Sequence, residues 1–145
     1  MQLSTKGLAL LKKYEGFRSH SYLDVAGIPT IGYGHRILPS ESFSNGIEEA
    51  KGAELLARDV GVAESAVTRL VKVELMQNQF DALVDFVFNL GCASLSQSTL
   101  LRYVNTGDFA DAATQFLRWD HIRGIVISGL TRRRQAEATL FGTPV

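Results

Sequence analysis

The sequence holds one cysteine, Cys92, and has no surplus of charge of either sign. A lone cysteine excludes an intrachain disulfide and a cysteine-rich metal site. The fold therefore does not depend on oxidation and can form in a reducing compartment, with Cys92 read as a small core residue. Fifteen basic residues balance fifteen acidic ones, so the basic excess typical of a nucleic-acid-binding domain is missing. Long apolar runs are missing too. The longest near the N-terminus, Leu8 to Leu11, falls short of the roughly 7–15 residues of a signal-peptide core. No window reaches the roughly 18 apolar residues of a membrane span. Neither export by a leader or anchor nor stable membrane insertion is expected.

Several catalytic signatures are also absent. There is no G-x-S-x-G nucleophile elbow and no HExxH helix, and His20, His35 and His121 lack metal-ligand spacing. Gly32-x-Gly34 lacks the third glycine of a dinucleotide fingerprint. No metal or cofactor is expected. The chain shows no internal repeat or low-complexity tract.

What is present is an ordinary globular composition over 145 residues, 46% apolar and 21% charged, enough for one domain with a real core. Ser4 or Thr5 can cap a short helix in which Leu8, Leu11 and Tyr14 recur at helical spacing, and Gly16 stops it. Glu15 thus falls at a negative helix end, an unfavourable place for a carboxylate. Ser21 to Tyr33 reads as two short strands joined by a turn near Ala26-Gly27, which brings Asp24 and Thr30 together. Pro29 marks the second strand as an edge. From Glu48, Ala53, Leu56, Val60, Ala63, Val67 and Leu70 form one apolar stripe on a helix of some 20 residues, about 30 Å long. Helical segments follow around Phe80–Phe88, Thr99–Val104 (capped by Ser96 or Ser98), Phe109–Trp119 (capped by Asp108) and Ser128–Phe141. Gly142 and Pro144 end the last. The fold class is α+β and mostly helical.

Glu15, Asp24 and Thr30 supply the parts of a glycosidase. A partly buried glutamate can protonate a leaving oxygen, an ionised carboxylate can activate water or steady charge on a sugar ring, and a hydroxyl can orient the water. His35 reads as a structural ion pair or hydrogen bond. Of Arg132, Arg133 and Arg134, three successive helical residues that cannot share a face, one is expected to point inward and the others to solvent.

The motifs YEGFR (Tyr14–Arg18), Y-x-D (Tyr22–Asp24), G-x-P-T-I-G-Y-G-H (Gly27–His35), F-N-x-G (Phe88–Gly91) and G-L-x-x-R-R (Gly129–Arg134) occur in one order along nearly the whole chain. In that order the sequence resembles the phage-type lysozymes of glycoside hydrolase family 24. The resemblance implies a lysozyme-like domain over 1–145, with a β lobe over about 14–60. A helical lobe over about 61–145, with helix 4–14, would be joined to it by a long helix. It implies a monomeric muramidase that inverts configuration at the β-1,4 bond between N-acetylmuramic acid and N-acetylglucosamine in peptidoglycan. Inversion goes with carboxylates roughly 6.5–9.5 Å apart. By the same match Glu15 is the general acid, Asp24 the general base or electrostatic stabiliser, and Thr30 the water-orienting hydroxyl. Tyr33 and His35 are structural near the site, and Phe88, Ser98 and Arg133 bind substrate. Arg133 would also pair with Glu15, with Arg132 and Arg134 as competitors. Arg36 departs from relatives that carry an apolar residue there. An endolysin without a leader would accumulate in the host cytoplasm and reach the wall through a holin pore. The rivals are a lytic transglycosylase and a non-catalytic wall-binding module.

Overall fold

A computed structural model describes residues 1–143; Pro144 lies outside them. Two compact units emerge, Ala9–Val62 and Met1–Leu8 with Ala63–Val145. The division falls inside α1 (Thr5–Glu15) and inside α2 (Glu49–Leu70).

The smaller unit is built on a three-stranded antiparallel sheet of order β1 (Arg18–Leu23), β2 (Pro29–Gly32), β3 (His35–Arg36). Pro29 is therefore not at a sheet edge. It is the first residue of the central strand, where its missing N–H costs no ladder bond, and its carbonyl still accepts from Ile37 N at 2.9 Å. Leu11, Ile31, Leu55 and Leu56 are buried to 1% exposure or less. Phe17 packs on Tyr33 with ring centroids 5.4 Å apart. Gly52 on α2 makes room for that pair, since a Cβ there would lie 2.6 Å from the Phe17 ring.

In the larger unit, Ser4 caps α1: its hydroxyl accepts from Gly7 N at 3.1 Å and donates to Asp81. The segments are α3 (Gln77–Leu90), α4 (Cys92–Ser96), α5 (Thr99–Asn105), α6 (Phe109–Gln115) with a 3-10 turn (Phe116–Arg118), a hairpin β4 (His121–Ile122) and β5 (Ile125–Val126), and α7 (Ser128–Phe141). The sixth helix is shorter than its sequence pattern predicts, because the chain turns into a hairpin after Trp119. Two expected caps differ as well: Asp108 makes no side-chain cap bond, and Ile127, not Ser128, is the N-cap of α7. Cys92 is only half-buried and accepts a hydrogen bond from Arg69 Nη2 at 2.9 Å. The core centres on Phe86, which meets Phe116 at 5.7 Å and Trp119 at 5.4 Å, both edge to face, an arrangement favoured by the ring quadrupoles.

Candidate active site

Glu15 is the last residue of α1. Gly16 follows at φ 67°, a left-handed conformation that costs glycine nothing, and its N–H closes the helix on Lys12 O at 2.9 Å. The half-buried Glu15 carboxylate lies against the turn between β2 and β3. A Cβ added to Gly34, itself at φ +71°, would sit 2.3 Å from Glu15 Oε1.

Asp24 sits in the turn between β1 and β2. Its N–H donates to Ile28 O at 3.0 Å, and its own carbonyl accepts from Gly27 N at 2.9 Å. Its Oδ1 accepts from Ala26 N at 2.8 Å and Ile28 N at 2.9 Å, the self-bonding turn that aspartate favours. Thr30 is 3% exposed and donates its hydroxyl proton to Ile28 O at 2.8 Å. The main chain of Ile28 thus joins the two side chains: its N–H holds Asp24, and its carbonyl accepts from Thr30. Pro29 supports this by confining Ile28 to an extended conformation.

The expected supporting residues take clear positions. Tyr33 donates its hydroxyl to Glu49 Oε1 at 2.9 Å, and that bond, ahead of burial, pushes the phenol above its ordinary range. His35 is buried and bridges two carboxylates, Asp59 Oδ2 at 2.8 Å and Glu41 Oε1 at 2.9 Å. Burial alone would lower the imidazole, but the bonds to Glu41 and Asp59 outweigh it and hold it above its usual value. Glu41 is held below the usual carboxylate range by the Leu38 N–H and then by His35. No spacing in the sequence singled out either partner.

Ser98 is bonded to the backbone on both sides. It is buried, donates to Leu95 O at 2.7 Å and accepts from Leu101 N at 2.9 Å, so it serves as the N-cap of α5. Phe88 is half-buried near the end of α3. In the arginine run, two residues are buried, not one: Arg133 is 4% exposed and Arg134 fully buried, while Arg132 is exposed. The reason is a set of acceptors that motif reading missed. Arg133 grips Asp85 with Nε and Nη2, at 2.9 and 3.0 Å, which is the geometry of a buried ion pair. Arg134 Nη2 donates to Glu137 Oε1 at 2.7 Å and to Asn89 Oδ1 at 2.8 Å. Burial, then the neighbouring Asp85, pushes the Glu137 carboxyl well up. Asp85 also feels burial, but the Glu137 hydrogen bond and Arg133 hold it low. Among the described residues no cluster of His, Cys, Asp and Glu could hold a metal ion, and no helix is long and apolar enough to cross a membrane.

The geometry is thus a glutamate ending a helix against a glycine turn, with an aspartate and a threonine both bonded to the main chain of Ile28. The phage lysozyme family model matches residues 12–137, and the chain belongs to that family. It is 43% identical to an endolysin of Bacillus phage B103, covering 99% of this chain but 55% of that protein. It is 41% identical to the endolysin of Salmonella phage P22, covering 97% and 98% of the two chains. The muramidase domain of SpmX from Asticaccaulis excentricus superposes with a TM-score of 0.89 at 37% identity, over 99% of each chain.

Proposed function

We propose that this protein is an endolysin-type muramidase that hydrolyses the β-1,4 bond between N-acetylmuramic acid and N-acetylglucosamine in peptidoglycan, with inversion. Glu15 donates its proton to the leaving glycosidic oxygen. A water attacks the anomeric carbon from the opposite face, and Asp24 takes its proton or steadies charge on the ring. Because the Thr30 hydroxyl already donates to Ile28 O, its lone pairs are what it offers, and it orients the water as an acceptor. On Asp24 both backbone bonds fall on Oδ1, leaving Oδ2 for the water. The observation that carries this reading is the shared Ile28 peptide, which fixes Asp24 and Thr30 relative to one another. The protein acts as a monomer, held in the host cytoplasm until a holin lets it reach the wall.

Glu15→Gln tests the assignment. It should slow clearing of permeabilised Gram-negative cells by roughly 10²–10⁴-fold, the usual contribution of a general acid, with folding intact by circular dichroism. Unchanged clearing would remove Glu15 from the mechanism. Mass spectrometry of the digest should show reducing muramic ends; anhydromuramic ends would mean a transglycosylase.

A further inference from the structure

We propose that Tyr22, with Arg18 stacked on its ring, is a positioning residue for the site formed by Glu15, Asp24 and Thr30. The proposal rests on the muramidase reading and adds a residue to it. Tyr22 pairs directly with Thr30 across the β1–β2 ladder. Residues directly opposite in an antiparallel pair project from the same face of the sheet with their Cβ atoms closest, so the Tyr22 ring stands beside the Thr30 side chain. The ladder is irregular between Arg18 and Tyr22. Arg18 nevertheless reaches Tyr22 and places its guanidinium carbon 4.3 Å from the ring centroid, well inside cation–π range. The cation clamps the ring from one side while the sheet fixes its base.

The half-buried phenol also lies in the field of the two carboxylates. Burial first, then Glu15, raises it above its ordinary value; Arg18 pulls it back and Asp24 adds a smaller upward push. One side chain thus pairs with Thr30 in the ladder and lies in the field of both acids. Its register partner donates to Ile28 O at 2.8 Å, the same carbonyl that accepts the Asp24 N–H at 3.0 Å. A ring that holds Thr30 in that rotamer therefore holds the Asp24 turn with it. The task belongs to the ring and its stack, not to the hydroxyl.

The test uses the intact protein on purified, dye-labelled peptidoglycan. Tyr22→Phe keeps the ring and should retain kcat within about twofold. Tyr22→Leu should lower kcat roughly tenfold with KM little changed, a fraction of the 10²-fold loss that follows a misplacement near 1 Å. Arg18→Gln should reproduce part of that loss alone and add nothing in the Tyr22→Leu background, since a stack cannot be removed twice. Rates are read well below each variant's Tm, so that partial unfolding does not enter. Wild-type kcat in Tyr22→Leu, a Phe variant as slow as the Leu variant, or additive Arg18 and Tyr22 effects would each overturn the proposal. Glu15→Gln run alongside separates the two claims: full activity there sinks the muramidase site itself, whereas an inactive Glu15→Gln beside an unaffected Tyr22→Leu sinks only the positioning role.

Discussion

Gly34→Ala separates the cost of a strained backbone from the cost of a displaced catalytic acid. At φ +71° an alanine pays roughly 1–2 kcal/mol for its Cβ in the left-handed region. In a domain of this size that lowers Tm by about 2–8 °C. The new methyl would lie 2.3 Å from Glu15 Oε1 and 2.9 Å from Cδ. Restoring ordinary van der Waals separation moves the carboxylate by about 1 Å. Since the carboxylate is the end of a flexible side chain it can retreat, so the protein should fold while kcat falls about 10²-fold. Gly107→Ala is the control. It has a similar φ of +77° and nothing within 4 Å of the added Cβ, so it should lose comparable Tm and keep its activity at temperatures where both are folded. Thermal melts by circular dichroism and initial rates on permeabilised cells measure the two quantities. Wild-type kcat in Gly34→Ala, despite a lowered Tm, would show that the position of the Glu15 carboxylate does not matter and would refute the reasoning.

Two further outcomes concern stability. Asp85→Ala removes the carboxylate that the buried Arg133 grips with two bonds and should cost about 3–5 kcal/mol, read by urea denaturation, whereas Glu137→Gln keeps the shape of a side chain whose carboxyl burial pushes well up and should cost no more than about 1.5 kcal/mol. The His35 bridge should give a pH-dependent term. His35 is raised in the folded state, so its contribution is complete below the ordinary value of 6.5 and is lost as pH climbs through the higher folded value; Glu41 is lowered, so its contribution is present above 4.5 and is lost as pH falls through the lower folded value. The Tm difference between wild type and His35→Asn should therefore be greatest between about pH 4.5 and 6.5 and should shrink on both sides; a difference that grows above neutrality would contradict this.

Local signals carried much of this structure in the sequence. Ser4 and Gly16 bound α1 as their capping chemistry requires, the turn at Ala26-Gly27 brings Asp24 and Thr30 to one peptide, and the stripe Leu56, Val60, Ala63, Val67 is buried on α2. Ser98 is legible as a helix cap, and the structure makes it one, with its hydroxyl bonded to Leu95 O and Leu101 N. Pro29 begins the central strand rather than an edge, because its tolerance depends on position within the strand, not only on which strand it occupies. The two-residue strands β3, β4 and β5 are too short for alternation to register. Apart from Glu137, three residues from Arg134, the partners of His35 and of the buried arginines come from 6 to 48 residues away, and a single chain read by itself carries no trace of such pairings.

The peptide of Ile28 has one more implication, for how this site can drift and be redesigned. The linkage of Asp24 to Thr30 runs through main-chain atoms, so the isoleucine side chain is free to be exchanged while the linkage persists. Loop length has no such freedom. One residue added between Asp24 and Ile28 would move the shared carbonyl out of reach and, with a strand period of two, turn the residue at the Thr30 position to the opposite face of the sheet. For a designer, this segment is permissive in letter and strict in spacing.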